Sequence, residues 1–182
     1  LQAIQSHLER QKVRAEVSLN DSPDTYRIRY KISGNPFISI IILNKNHQAV
    51  LEACVSSILK KSTYRSFEII LVENGSDQEK LFDYYDQLKK NASFPGQILE
   101  WQEPFNYSSI NNWAVGHCNG EILLFLNNDT EVITPNWLEE MIGLTQQPDA
   151  GAVGAKLLFP DRKLQHTGIA QGNFSTQFLF HL

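Results

Sequence analysis

The sequence predicts an α/β fold, a mostly parallel β-sheet with helices on both faces, preceded by an N-terminal helix and β-hairpin lead-in. Two observations carry this. Short apolar runs, "FISIIIL" at 37–43, "FEIILV" at 67–72, "GQILEW" at 96–101 and "EILLFL" at 121–126, read as strands. Stretches of helical periodicity, about ten to fifteen residues long, separate them, and that alternation builds parallel sheets covered on both faces.

Taken in order, "LQAIQSHLERQ" places Leu1, Ile4 and Leu8 at helical spacing. "VRAEVSLNDSPDTYRIRYKI" reads as two strands around an Asn-Asp-Ser-Pro-Asp turn, with Tyr26, Ile28 and Tyr30 alternating with Arg27 and Arg29. "SGNP" at 33–36 marks a boundary, so residues 1–35 form a lead-in and 36–182 the main domain. After the first long strand, "NKN" leads into an amphipathic helix from His47 to Lys61. "ENGSDQE" follows the second strand and opens a helix carrying Leu81, Phe82, Tyr85 and Leu88, with Ser76 and Glu79 at capping-box spacing. "NYSSINNWAVGHCNG" is a helix ending at a glycine stop. Ile122 to Leu126 read as a buried strand, and Thr134-Pro135 as the N-cap and first position of a helix with Trp137, Leu138, Met141, Ile142 and Leu144 on one face. "AGAVGAKLLF" and "KLQHTGIAQG" read as two further strands around a Pro-Asp turn.

At 182 residues one domain is the default, and 42% hydrophobic with 20% charged residues suits a globular protein. A formal net charge of −4 gives no electrostatic footprint for nucleic acid or a membrane surface. No apolar run approaches transmembrane length, and the N-terminus lacks the apolar core of a signal peptide. Cys54 and Cys118 lack metal or redox spacing and read as buried small residues in a reducing compartment, so a cytoplasmic location is expected. The chain starts at Leu1, has Met141 as its one methionine, and stops in "TQFLFHL", so a longer multidomain parent is expected.

Open parallel sheets bind ligands at the carboxyl ends of their strands, where strand order reverses. Three polar clusters fall at such ends: Asn44-Lys45-Asn46, Glu73-Asn74-Gly75-Ser76 and Asn127-Asn128-Asp129. No glycine-rich phosphate loop accompanies them, so side chains would hold the ligand. Asp129 alone reads equally as a turn residue, and Asn74-Gly75 as an ordinary turn. In context, one carboxylate beside two asparagines suits a magnesium or manganese ion bound together with a diphosphate. The asparagines offer donors and acceptors to ribose hydroxyls, and Glu73 an acceptor to a base or a ribose. Asn112 reads either as a ligand-facing amide or as a satisfied helix-surface one.

"PFISIIILNKN", "FEIILVENGS", "FNYSSINNWAVGHCNGEILLFLNNDTEV" and "GAVGAKLLFPDRKLQHTG" together resemble the family 2 glycosyltransferases of GT-A (Rossmann-like) fold, most of all the bacterial branch of polysaccharide and lipopolysaccharide assembly. The resemblance covers roughly residues 34 to 172. It implies a nucleotide-diphosphate sugar donor, a Mn2+ or Mg2+ ion, inversion at the transferred sugar, and a glycan or lipid-linked acceptor. It assigns Asn46 and Asn112 to the donor nucleotide, Glu73 and Asn74 to its base, and Asn127-Asn128-Asp129 to the DxD site, with Asn128 near the ribose and Asp129 on the metal. It also matches His166 of "LQHTG" to a recurring histidine. Asn44, in the same strand-end cluster as Asn46, is placed with the donor-nucleotide residues, as is Asn127.

Two departures stand out: the family's DxD is reduced to Asn-Asn-Asp, and Glu73 replaces an aspartate. The family's general base lies in an acceptor half expected beyond residue 182, so no catalytic base is assigned and the fragment alone is expected to be inactive. Two other readings remain: a non-catalytic nucleotide- or glycan-binding module of the same fold, and a sugar nucleotidyltransferase, whose glycine-rich basic loop "LNKNHQA" does not supply. Four N-glycosylation patterns, at Asn91, Asn106, Asn128 and Asn173, read as chance, and Phe105, Tyr107, Trp113 and Trp137 as core packing rather than stacking platforms.

Overall fold

A computed structural model describes residues 1–20 and 25–168. They group into two compact units, one of the described residues within 1–32 and 139–168 and one of Ser33–Leu138.

The Ser33–Leu138 unit is built on a four-stranded sheet. Helix α1 (Gln2–Arg10) and strands β1 (Ala15–Leu19) and β2 (Tyr26–Tyr30) precede it in the chain and belong to the other unit. The sheet holds β3 (Ile38–Asn44), β4 (Phe67–Glu73), β5 (Gly96–Glu100) and β6 (Ile122–Asn127), all parallel, in the order β5-β4-β3-β6. The chain winds outward from β3 to β4 to β5 and then returns to the far side of β3. Strand order therefore reverses between β3 and β6, and a crevice opens at their carboxyl ends.

Strands β3 and β4 are the centre and are buried along almost their whole length, which is why both read as unbroken apolar runs. Side chains alternate across the sheet. On one face Ile41, Ile70 and Val72 pack against Ile110 and Ala114 of α4 (Tyr107–Val115), with Leu99, Trp101 and Trp113 around them. The opposite face carries Ile40, Ile42, Ile69 and Leu71, and helices α2 (Gln48–Lys61) and α3 (Glu79–Lys90) bury Leu51, Cys54, Val55, Ile58, Leu81, Tyr85 and Leu88. Each buried Ile or Leu of this kind stabilises the fold by about 1.5–3 kcal/mol.

Each face ends in a polar rung. On the α4 face Ser39 pairs in register with Glu68 at the amino end; on the other, Asn44 pairs with Glu73 at the carboxyl end. Glu68 accepts from Ser39 Oγ at 2.6 Å, from the Asn119 backbone N–H at 2.6 Å and from Asn119 Nδ2 at 3.0 Å. Ser39 Oγ in turn accepts the Gly120 N–H at 2.8 Å.

Several expectations need correcting. Strand β6 is an edge rather than a buried strand: its residues alternate in exposure, with Leu123 and Phe125 open, and among the described residues it pairs with β3 alone. Five apolar residues in a row thus gave a false reading of burial. The capping box does not form. Helix α3 begins after Gln78, which makes no side-chain cap, and Ser76 is used elsewhere. In α3 the buried positions are Leu81, Tyr84, Tyr85 and Leu88, so Phe82 falls off the stripe and is exposed.

Helix α5 (Trp137–Thr145) starts two residues after Pro135, and Leu144 is exposed while Leu138 and Ile142 are buried. The last two strands shrink to a bulged antiparallel pair, β7 (Leu157–Leu158) and β8 (Leu164–His166). The Gly-Ala stretch before β7 has too few side chains to pack a strand. The part of "KLQHTGIAQG" from residue 169 lies outside the described residues, as does Asn173. Cys54 is buried, but Cys118 only half so; both thiols are free.

Candidate functional site

The carboxyl ends of β3, β4 and β6 carry the three polar clusters to one place. Asn44, the last residue of β3, is only 2% exposed. Its Nδ2 donates to the Asn46 carbonyl at 3.0 Å and to the Tyr85 hydroxyl at 3.1 Å. Its Oδ1 accepts from Asn128 Nδ2 at 2.6 Å, which joins the loops after β3 and β6 across the switch point. Glu73, also 2% exposed, accepts from the Tyr85 hydroxyl at 2.8 Å and from the Ser76 N–H at 2.5 Å. Burial, and then the neighbouring Glu73 carboxylate, hold the Tyr85 phenol far above its ordinary range, so it remains a donor at any physiological pH.

The loop after β3 is tied to the loop after β4 twice more. Ser76 Oγ accepts the Asn46 N–H at 2.7 Å, and Asn46 Oδ1 accepts the Asp77 N–H at 3.0 Å. Asn46 and His47 both take left-handed backbone, with φ of 57° and 53°, a conformation asparagine tolerates better than most residues. Asn74 continues the register with its N–H on the Asn44 carbonyl, and Gly75, at φ 68°, makes the turn that Asn74-Gly75 predicts.

Asn127, Asn128 and Asp129 leave β6 as a turn; Asn127 and Asp129 are exposed, Asn128 half-buried. The backbone beyond is pinned to α2. Val132 donates its N–H to Ser57 Oγ at 3.0 Å and accepts from Lys61 Nζ at 2.8 Å. Cys54 lies directly behind the turn, its Sγ 3.7 Å from the Asn127 carbonyl, and burial pushes its thiol up to about 11. It packs against the turn.

A pocket of about 50 Å3 between β3, β6 and α4 is lined by Ile41, Leu43, Tyr107, Asn111, Phe125 and the Asn127-Asn128 pair. That space suits a water or two. Sites for small molecules run to about 300–1,000 Å3, so this pocket is too small to enclose a whole ligand. The pocket residue on α4 is Asn111, whose Nδ2 donates to the Tyr107 carbonyl at 2.8 Å. Asn112, one position on, is exposed. A second, open hollow of about 600 Å3 lies by the starts of α2 and α3, lined by His47, Gln48, Val50, Gln78 and Lys80 among others.

His166 sits in β8, within the other unit, where its Nδ1 accepts the Gly168 N–H at 3.2 Å. Phe105 and Tyr107 are exposed rather than core, whereas Trp113 and Trp137 are half-buried. Sequence reasoning missed that Tyr85 bonds both Asn44 and Glu73 and that Asn111, rather than Asn112, lines the pocket. Tyr85 looks like any helix-stripe aromatic until Asn44 and Glu73 are seen to need a partner. Asn111 is distinguished from Asn112 only by helical phase.

Among the described residues no three His, Cys, Asp or Glu side chains gather to hold a metal. The donor set at the turn is one exposed carboxylate and neighbouring carboxamides. All are hard oxygen ligands that fit Mg2+ or Mn2+ when a diphosphate completes the shell, and do not fit a permanently resident ion.

A parallel sheet whose strand order reverses beside an asparagine-lined, glycine-poor rim is an α/β fold with a ligand crevice at its strand ends. Residues 39–178 match the sequence profile of Glycosyl transferase family 2, and the chain belongs to that family. It is 42% identical over 172 residues, 94% of its length, to the O-antigen biosynthesis protein RfbC of Myxococcus xanthus, of which it spans 13%. In fold it is similar to a mannosyltransferase from Pyrobaculum calidifontis solved with GDP-Man and Mn2+, at a TM-score of 0.62 and 16% identity, over 87% of this chain and 43% of that one. It is also similar to GalNAc-T7 solved with UDP, GalNAc and Mn2+, at a TM-score of 0.60 and 18% identity, over 72% of this chain and 25% of that one. No helix among the described residues is long and apolar enough to cross a membrane.

Proposed function

We propose that this chain is the donor-binding part of an inverting glycosyltransferase, with residues 36–182 forming that part and 1–35 a lead-in. The observation that carries the reading is the meeting of Asn44 and Asn128 across the switch point, with Asp129 exposed one residue further on. The family membership supports the reaction class, and the Mn2+ in the two solved structures supports a divalent ion.

In this reading Asn46, Asn74, Asn127, Asn128 and Asn111 border the nucleoside. Asn111 takes the place the resemblance gives to Asn112, because it lines the pocket. Asp129 holds the Mn2+ or Mg2+ ion, which supplies charge neutralisation on the departing diphosphate. With a single carboxylate, the chain binds the ion weakly until the diphosphate arrives. Exposed Tyr107, which lines the pocket, offers a ring face there. The acceptor is a glycan or lipid-linked glycan, a class supported by the similarity to an O-antigen biosynthesis protein. The two free thiols suit a cytoplasmic location. His166 is kept as a candidate without an assigned role.

Calorimetric titration with UDP, dTDP and GDP, each with and without manganese, tests the reading. One nucleotide binds in a manganese-dependent manner, and Asp129→Ala weakens it about tenfold or more, equivalent to about 1.4 kcal/mol. Equal binding by the variant removes Asp129 from the site.

A further inference from the structure

Asn44 and Glu73, both expected from the sequence to meet the ligand, are almost completely buried, and their polar atoms are taken up by the protein itself. The direction of each hydrogen bond between them is fixed. The Asn46 backbone carbonyl can only accept, so Asn44 must turn Nδ2 toward it. Asn44 Oδ1 then faces Asn128, which has to present its own Nδ2. The Oδ1 of Asn128, on the other branch of its amide, is left for a ligand. The second hydrogen on Asn44 Nδ2 goes to the Tyr85 hydroxyl, whose own proton therefore points to Glu73. A carbonyl at one end and a carboxylate at the other are both obligate acceptors, so the chain cannot run backward.

We propose that Glu73, Tyr85 and Asn44 are positioning residues: a buried relay that holds Asn128 with its amide oxygen outward, so that the site selects a sugar hydroxyl of the bound nucleoside diphosphate. The proposal rests on the donor-site reading above and deepens it. Only Asn128 of the four touches ligand. Glu73 acts through Tyr85, and its lengthened side chain is what reaches back to both Tyr85 and Ser76.

The test compares the preferred diphosphate among UDP, dTDP and GDP with analogues lacking each of its sugar hydroxyls in turn, all with manganese. The wild-type chain binds the parent about tenfold or more tighter than at least one analogue. Glu73→Gln is nearly isosteric and can keep the Ser76 bond, but it then presents an NH2 to a hydroxyl that already accepts from Asn44. The relay loses its direction, and discrimination between parent and analogue falls below about threefold. Tyr85→Phe, which changes no charge, does the same. Tyr84→Phe removes a hydroxyl from the same helix off the relay and leaves discrimination intact.

A general loosening of the fold lowers affinity for parent and analogue alike, so the ratio isolates positioning from stability. If either relay variant fails to melt cooperatively, the other decides. Retained discrimination in a folded relay variant overturns the proposal while leaving the donor site standing. A Glu73→Gln chain that keeps sugar discrimination but changes its preference among bases also overturns it, and makes Glu73 a direct base contact. A wild-type chain that binds none of the three nucleotides overturns the donor-site reading itself.

Discussion

Asn111 and Asn112 are identical in type and adjacent in sequence, yet a step of about 100° around α4 gives them different surroundings. Ile110 and Ala114 are fully buried, and Asn111 lies close to that stripe with Nδ2 committed to the Tyr107 carbonyl and Oδ1 left toward the pocket. Asn112 faces solvent. Asn111→Ala is therefore expected to weaken nucleotide binding about fivefold to tenfold, the worth of one modest hydrogen bond to a ligand, whereas Asn112→Ala stays within about twofold. Parallel titration of the two variants checks this, and equal effects would return the site residue to Asn112. The sequence carries enough to choose between them, since Tyr107, Ile110, Asn111 and Ala114 fall at helical spacing. Reading the motif without the phase loses that information. Tyr85 is a harder case. Nothing local marks its hydroxyl as needed, because the need arises from Asn44 and Glu73, which are 41 and 12 residues away in sequence.

At the level of elements, β3 and β4 were legible because a strand buried on both faces has no polar position to interrupt the apolar run. The same rule misreads β6, where Ile122 to Leu126 are just as apolar but Leu123 and Phe125 face outward at an edge. Composition reports a strand's affinity for apolar surroundings; pairing order decides whether it gets them. The amino ends of the strands depend on a feature equally invisible in a motif scan. Gly120 sits where a Cβ would lie against the Ser39 backbone nitrogen and 2.7 Å from Ser39 Oγ. The clash is largely with backbone, which cannot swing away. Gly120→Ala is expected to destabilise the Ser33–Leu138 unit by about 1–3 kcal/mol, the range for overpacking a tight site. Gly75 meets no such obstacle but has φ 68°, so alanine there costs backbone strain alone. Chemical denaturation of the two variants separates the causes. A neutral Gly120→Ala would mean the turn into β6 shifts freely.

Over the whole molecule, the buried Glu68 carboxylate makes folding depend on acid. The formal charge of −4 passes through zero near the pI of about 5.7, so mild acidification relieves self-repulsion. Glu68 then sets the next step. Burial pushes its carboxyl up, but hydrogen bonds from Ser39 and from the backbone and side chain of Asn119 outweigh that, and its pKa lies below the usual glutamate value. A group depressed in the folded state contributes stability that is fully present above its unfolded pKa and is lost as pH falls through the folded value. Stability is therefore expected to hold from neutral pH to about pH 5 and to fall below the ordinary glutamate pKa of about 4.3. Glu68→Gln keeps the shape but sets an NH2 against Asn119 Nδ2, so at pH 7 it costs about 1–3 kcal/mol. For a chain of this size that is a drop of roughly 2–12 °C in melting temperature. The variant should also lose part of the acid sensitivity, so the two melting curves converge as pH falls from 7 to 3.5. Curves that stay parallel would place the acid-labile charge elsewhere and reduce the Ser39–Glu68–Asn119 clasp to a neutral hydrogen-bond network.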